Sequence, residues 1–172
     1  MIEIIVLSGY GLNCEEETLS AFLLASESLS KKAKCSIVHI NDIISKPLML
    51  KKTKILAIPG GFSYGDHTGS GNAFALRIKN NLKDVFYEFA SQDNLIIGIC
   101  NGCQILVRLI DDFSGISLLN NEIGNYYCRW VNVSVESKKS AWLNGLNSLR
   151  IPVAHGEGRF YMSQDKLSEL IS

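Results

Sequence analysis

The sequence predicts a doubly wound α/β domain with a mostly parallel sheet, and three observations lead to that prediction. Short apolar runs, typical of strands buried on both faces, alternate with longer amphipathic stretches of helical spacing. Glycine-rich loops follow several of these runs, where the carboxyl ends of parallel strands form ligand sites. No proline-rich linker or repeat divides the 172 residues, so one domain over residues 1–172 is expected.

The elements are predicted in order along the chain. Buried strands are expected at residues 2–7, 36–40, 54–58 and 94–99. Helices are expected at about 15–31, from residue 72 onwards and at 102–110, with Asn13 capping the first and Glu16 three residues later. Residues 126–135 alternate like an antiparallel or edge strand, 149–160 form a strand leading into a turn, and 164–172 form a short helix.

Two of the helices have an apolar face at helical spacing, which is the side of a helix that packs on a core. The first face consists of Leu19, Phe22, Leu23, Ser26 and Leu29. The second face consists of Phe74, Ile78, Leu82, Val85, Phe86 and Phe89.

The composition argues against a nucleic-acid or membrane partner. Lys+Arg and Asp+Glu both number 17, so the excess of basic residues typical of nucleic-acid surfaces is absent. The N-terminal segment MIEIIVLSGYG lacks the basic region of a signal peptide, and no stretch approaches the roughly 18 apolar residues of a membrane span. We therefore expect a cytosolic protein whose five cysteines are reduced thiols rather than a disulfide framework.

The segment GICNGCQIL (98–106) contains the strongest candidate site. Gly98-x-Cys100-x-Gly102 is the pattern of a nucleophile elbow, a sharp strand-to-helix turn that holds its nucleophile in a strained backbone conformation. The turn would expose Cys100 beside a helix N-terminus, where the helix dipole and N–H groups favour a nucleophilic thiol. Cys103 is expected to be a small residue on the buried side of the new helix.

Cys100 has three other interpretations. Free cysteines are commonly core residues, but that interpretation suits Cys35 and Cys128 better than a cysteine bracketed by glycines. A redox Cys-x-x-Cys pair normally follows the first strand of a small domain and does not need the glycines. A zinc site would need a second ligand pair, and none has suitable spacing.

Gly60 and Gly61 directly follow the strand predicted at 54–58. They would bring backbone N–H groups close to Cys100 and, with the N–H of Asn101, form an oxyanion hole for acyl transfer. The alternatives are a plain glycine-rich turn or a phosphate loop, although G-x-x-x-x-G-K-[ST] and a proper G-x-G-x-x-G are absent.

Four segments together resemble class I glutamine amidotransferases, and more narrowly the glutaminase subunits of phosphoribosylformylglycinamidine synthases in purine biosynthesis. They are SGYGLNCEEET (8–18), IPGGFSYGDHTGSG (58–71), GICNGCQIL (98–106) and IPVAHGEGRF (151–160), in the family's order and spread over nearly the whole chain. The resemblance implies the flavodoxin-like fold of class I amidotransferases, C-terminally incomplete. It also implies a ligase complex in which glutamine is the nitrogen donor.

The resemblance implies roles for matching residues. Cys100 would attack the glutamine amide and form a glutamyl thioester, with the N–H groups of Gly61 and Asn101 as the oxyanion hole. The substrate-binding residues would be Gly60, Gln104, His155, Gly156 and Glu157. The released ammonia would pass to a large synthetase subunit that binds ATP and Mg, while this chain would hold no metal or cofactor. Whether the complex also contains a small third subunit stays an open question at this point.

One part of the family's pattern is missing. The family's catalytic histidine and glutamate lie in a P-H-P-E motif near its C-terminus, and the 172 residues contain no such motif. His155 with Glu157 is an alternative pair, although the resemblance already accounts for HGEG as a separate element. We therefore expect a fragment or a short form. Two alternatives stay open: a non-catalytic amidotransferase-like binding module, and a stand-alone cysteine hydrolase of related fold.

Four further residues have open roles. His39 is expected to be an ordinary, partly buried histidine, and His67 would line the pocket. Asp66 would cap the helix after its loop, and Arg129 would be solvated or stacked on an aromatic ring. Either Asp66 or Arg129 would alternatively face the synthetase.

Overall fold

The chain forms two compact units, Met1–Asp111 and Asp112–Ser172, in a computed structural model that describes residues 1–67, 69–110, 113–137 and 139–171. The single domain expected over residues 1–172 stays a prediction. Ser172, where the last helix was predicted to end, lies outside the described residues.

The first unit is a parallel sheet with flanking helices. Its elements are β1 (Ile2–Ser8), α1 (Glu15–Ser28), β2 (Ala33–His39), α2 (Ile40–Ser45), β3 (Ile55–Ile58), α3 (Asn72–Ser91), β4 (Leu95–Gly98) and α4 (Asn101–Leu109). The strand order is β2-β1-β3-β4, and every pairing is parallel. This arrangement confirms the predicted α/β fold and brings the loops after the strands to one edge of the sheet.

The core of this unit lies between the sheet and its helices. Val6, Ala57 and Ile58 of the central strands are fully buried. Five residues of the face predicted for α3 are buried, namely Phe74, Ile78, Leu82, Phe86 and Phe89, and Val85 is partly buried against them. Each such side chain contributes about 1.5–3 kcal/mol by leaving water, so α3 is firmly anchored.

Helix α1 differs from its prediction at both ends. Cys14, not Asn13, is its N-cap, because the Asn13 side chain accepts a contact from the Cys14 thiol instead of a helix N–H. The helix ends at Ser28, before residue 31, because Ser30 turns the chain with a φ of 50°. Leu23 and Leu29 of the predicted face are exposed.

Strand β2 begins three residues before its predicted start. It pairs with β1 in register from Ile2↔Ala33 to Ser8↔His39, and this ladder extends the strand to include the polar Lys34. Cys35, expected in the core, is only half-buried.

The second unit consists of β5 (Ser117–Asn120), β6 (Tyr127–Ser134), β7 (Ser148–His155), β8 (Glu157–Tyr161) and α5 (Gln164–Ile171). Strand β6 is antiparallel to β7, which confirms the alternation expected at 126–135, and β5 is antiparallel to β8. The strand leading into a turn that was predicted at 149–160 is confirmed as β7, but a further strand, β8, follows the turn at Gly156 and pairs with β5. Cys128, expected in the core, is exposed on β6.

Across both units, the described residues include no helix that is long and apolar enough to cross a membrane.

Candidate active site

Cys100 occupies the sharp turn between β4 and α4. Its φ of 53° and ψ of −111° lie in a region that non-glycine residues rarely adopt. The residue is exposed and forms the N-cap of α4. This is the strained, accessible elbow that the glycine spacing predicts, while the nucleophilic role of Cys100 stays a prediction.

Two glycines make this turn possible. A Cβ on Gly102 would overlap the carbonyl oxygen of Ile58 and lie 2.7 Å from its carbonyl carbon. A Cβ on Gly98 would lie 2.5 Å from the Gly102 carbonyl oxygen and 2.7 Å from Leu106 Cδ1. The first turn of α4 therefore rests directly on the backbone at the ends of β3 and β4, with no room for a side chain.

The loop after β3 places Gly60 beside Cys100, as predicted. A Cβ on Gly60 would lie 3.4 Å from Cys100 Cβ and 3.4 Å from Cys14 Sγ, so the space left by the missing side chain borders both cysteines. Gly61 has a φ of 152°, and its backbone packs against the carbonyl oxygen of Gly11. The loops after β1 and β3 therefore support each other beside the elbow.

The two backbone donors predicted for an oxyanion hole are Gly61 and Asn101. No acceptor within the described part of the chain takes the N–H of either residue. For Asn101 this follows from its position, because the first N–H groups of a helix have no intrahelical partner. Both donors are thus available, and their role with substrate stays a prediction.

The side chain of Asn101 is fully buried and uses both of its polar atoms. Its Oδ1 accepts the N–H of Ser63 at 3.0 Å. Its Nδ2 donates to Asp66 Oδ1 at 3.2 Å and to Gln104 Oε1 at 2.9 Å. Sequence reasoning missed this network, since it considered only the backbone N–H of Asn101. The one available signal was an amide in the first turn of a buried helix.

The loop that contacts Asn101 has an unusual backbone. Tyr64, Gly65 and Asp66 are three consecutive residues with positive φ, at 54°, 64° and 54°. Asp66 Oδ1 also accepts the N–H of Gly71 at 3.4 Å. Gly71 is the N-cap of α3, which has no side-chain capping hydrogen bond, so the capping role predicted for Asp66 is wrong. His67, predicted to line the pocket, folds its ring back against Gly65.

A second cluster, also missed by sequence reasoning, lies at the ends of β1 and β2. The guanidinium of Arg77 lies 4.6 Å from the centre of the Tyr10 ring and donates to Asn41 Oδ1 at 2.6 Å. The Tyr10 ring also stacks on Tyr64, with ring centres 5.0 Å apart. His39 is partly buried, as expected, and accepts the N–H of Asn41 at 3.1 Å. This cluster connects the strained loop to its neighbours.

Two cysteines flank Cys100 and differ from it in exposure. Burial raises the pKa of the Cys103 thiol, and a negative charge on Cys100 raises it further. Burial also raises the pKa of Cys14, with added repulsion from Glu17 and Cys100. Both thiols are therefore protonated near neutral pH, and Cys100 is the exposed one of the three.

His155, Gly156 and Glu157 lie in the second unit, where β7 passes into β8. Asn121 Nδ2 donates to the His155 carbonyl at 2.7 Å, which turns Asn121 Oδ1 toward the ring Nδ1 at 2.9 Å. Nδ1 then carries the proton and Nε2 is the acceptor of the neutral ring. The substrate-binding role of these three residues stays a prediction.

Arg129 is stacked on an aromatic ring, which is one of the two alternatives expected for it. Its guanidinium carbon lies 4.1 Å from the centre of the Tyr127 ring.

Comparison with known proteins agrees with this geometry. Residues 1–172 match the family described as the CobB/CobQ-like glutamine amidotransferase domain. The chain belongs to this glutamine amidotransferase family. It is 44% identical over 176 residues to phosphoribosylformylglycinamidine synthase subunit PurQ of Methanococcus maripaludis, covering 98% of this chain and 62% of the relative. It is 35% identical over 178 residues to the PurQ subunit of Dehalococcoides mccartyi, covering 99% of this chain and 68% of that relative.

A solved structure shows the same fold for this amidotransferase domain. The structure of PurLQS from Thermotoga maritima contains a chain that superposes with a TM-score of 0.76 at 29% identity, covering 95% of this chain and 71% of that one. The resemblance inferred from the four sequence segments is thereby confirmed. The chain spans about 62% of the length of its Methanococcus relative.

Proposed function

We propose that this chain is the glutaminase component of a phosphoribosylformylglycinamidine synthase, supplying ammonia from L-glutamine to an ATP-dependent synthetase subunit in purine biosynthesis. The observation that carries the proposal is Cys100, strained at φ 53° at the N-terminus of α4 and flanked by Gly60. The names of the curated relatives support the same reaction.

In this proposal the Cys100 thiolate attacks the side-chain amide carbon of glutamine. The carbonyl oxygen becomes an oxyanion that accepts hydrogen bonds from the N–H groups of Gly61 and Asn101. Protonation of the nitrogen allows the C–N bond to break, which releases ammonia and leaves a glutamyl thioester. Water then hydrolyses the thioester to glutamate and restores the thiol.

The surroundings of Cys100 suit a substrate of this shape. Gly60 contributes no side chain beside the thiol, which leaves space for the amide group. Gln104, on α4 after Cys100, is proposed to hold the glutamine. In this proposal ATP and Mg bind to the synthetase, and this chain holds no cofactor. The complex is proposed with or without a small third subunit.

A second candidate function is a module that binds its partner but does not turn over glutamine. It is the alternative that a labelling test with a glutamine mimic separates from the glutaminase function. Departure of ammonia needs a proton donor, and deacylation needs a base. The two candidates therefore differ in turnover, not in fold.

We also propose a reducing, cytosolic compartment. All five cysteines are free thiols, as expected for a protein kept reduced.

The test uses diazo-oxo-norleucine, an electrophile that mimics glutamine. The full chain is treated with and without its synthetase, and mass spectrometry locates the adduct. We expect an adduct on Cys100 that excess glutamine blocks, in wild type and equally in Cys128→Ala, which removes another exposed cysteine. No adduct on the folded chain with the synthetase present would contradict the glutaminase function and favour the binding module.

A further inference from the structure

The two proposed oxyanion donors belong to different elements of the fold. Gly61 lies in the loop after β3, and Asn101 begins α4. Donors stabilise an oxyanion only when both lie about 2.7–3.1 Å from the position that the oxygen will occupy. The spacing between this loop and this helix must therefore be fixed.

Two side chains of α4 hold the loop, Arg108 at its far end through the Ser70 carbonyl at 2.8 Å and Asn101 near Gly61. The buried amide of Asn101 accepts the N–H of Ser63, two residues after Gly61, at 3.0 Å. The same amide donates to Asp66, farther along the loop, at 3.2 Å. Because Asn101 itself supplies the second donor, a single residue holds both halves of the predicted hole.

Asp66 is held in a conformation that needs support. Its φ of 54° is uncommon for a residue other than glycine and persists only where the surroundings enforce it. The carboxylate receives hydrogen bonds from Asn101 Nδ2 and from the N–H of Gly71. Asp66 therefore holds the loop through its own carboxylate, while Asn101 holds it from α4.

The amide also orients Gln104. Asn101 Nδ2 donates to Gln104 Oε1 at 2.9 Å, so the oxygen end of the Gln104 amide faces the helix start. A buried amide with every polar atom paired fixes one geometry, whereas an apolar residue of the same size would only fill the space.

We infer that the side chains of Asn101 and Asp66 are positioning residues that set the spacing of the Gly61 and Asn101 N–H donors. This inference deepens the proposed function and rests on it, since the donors are those of the glutaminase reaction. In this inference both side chains act through the spacing of the donors, not through contact with the substrate.

The test compares two reactions of the Cys100 thiol in the full chain with its synthetase. Acetylation by p-nitrophenyl acetate passes through an oxyanion, and alkylation by iodoacetamide does not. Both reactions need the thiolate, so the ratio of their rates cancels any change in thiolate fraction. The exposed Cys128 of the same chain gives the reference ratio for a thiol without an oxyanion hole.

Three variants test the pair. Asn101→Asp removes the donor and places two carboxylates together, so the acetylation-to-alkylation ratio should fall about tenfold or more toward that of Cys128. Asp66→Asn alone keeps an acceptor and should change the ratio less than about twofold. The double variant Asp66→Asn with Asn101→Asp restores a donor–acceptor pair, and the ratio should recover to within about threefold of wild type.

Controls separate positioning from folding. Asn81→Ala, an exposed amide on α3, should leave the ratio unchanged. If Asn101→Asp does not fold, as judged by thermal unfolding, Asp66→Ala on the partly exposed loop should lower the ratio in the same direction.

Three outcomes would overturn the inference: an unchanged ratio in Asn101→Asp, a double variant that is no better than Asn101→Asp, or a wild-type ratio equal to that of Cys128. Failure of the proposed function would look different. The wild-type chain would then not react with the glutamine mimic, although its acetylation-to-alkylation ratio stayed above that of Cys128.

Discussion

Gly102 lies so close to the Ile58 carbonyl group that a Cβ would overlap the oxygen. This contact sets α4, and with it Cys100, directly on the end of β3. Gly102→Ala should therefore lower the free energy of unfolding by about 3 kcal/mol or more, because the obstacle is backbone that cannot move aside. Chemical denaturation measures the change.

The control for this prediction is Gly115→Ala. Gly115 has a φ of 85°, and a methyl group added there would meet nothing within 4 Å, so only the backbone cost of about 1 kcal/mol is expected. Equal losses in the two variants would contradict a steric role for Gly102.

Gly60 and Gly61 are adjacent, but only Gly61 should lose stability when it is replaced by alanine. A Cβ on Gly61 would lie 2.7 Å from Leu12 Cα at a φ of 152°, so Gly61→Ala should destabilise the fold. A Cβ on Gly60 makes only ordinary contacts of 3.4 Å, so Gly60→Ala should melt within about 2 °C of wild type. Its methyl group would nevertheless occupy the space beside Cys100 and slow alkylation of that thiol by iodoacetamide. Unchanged alkylation would show that this space does not lead to the thiol.

Arg77 connects three parts of the first unit through Tyr10 and Asn41. Arg77→Ala should lower the free energy of unfolding by about 1–2 kcal/mol, because a ring contact and charge-assisted hydrogen bonds are lost together. Arg77→Lys should recover only part of the lost stability, since the lysine ammonium lacks the planar guanidinium group that makes these contacts. Lys83→Ala, an exposed change on the same helix, should stay within about 0.5 kcal/mol of wild type in urea denaturation.

The partly buried Cys103 thiol should make the fold sensitive to alkaline pH. Burial raises its pKa in the folded state, whereas the unfolded thiol ionises near about 8.5. The contribution to stability is fully present below that pH and is lost as the pH rises above it, because the unfolded chain then releases a proton that the folded chain keeps. Denaturation series between about pH 8 and 10.5 should show that the free energy of unfolding falls less steeply with pH in Cys103→Ala than in wild type. An equal or steeper fall would contradict this assignment.

Much of the fold could be predicted because its signals are local. The apolar run of β3 and the spacing of Phe74, Ile78 and Leu82 in α3 define an element within a few residues. The start of β2 was misplaced because it depends on pairing with β1. Strand β8, after the predicted turn, was missed for the same reason, since it depends on pairing with β5.

In the candidate site, too, only the features formed by residues close together in the sequence could be predicted. The elbow around Cys100 was predictable, because its glycines lie within five residues of one another. The side-chain role of Asn101 was not, because its partners Ser63 and Asp66 lie 38 and 35 residues away in the sequence. Short elements such as α2 were also missed, since a six-residue helix has too few positions to show a period.

The most direct test of the glutaminase assignment is Cys100→Ala in complex with the synthetase, assayed with glutamine and with ammonia as alternative nitrogen donors. We expect glutamine-dependent synthesis to disappear while ammonia-dependent synthesis continues at the wild-type rate, because only release of nitrogen from glutamine needs the thiol. Glutamine-dependent synthesis that survives in Cys100→Ala, or loss of both activities together, would contradict the assignment of Cys100 as the nucleophile.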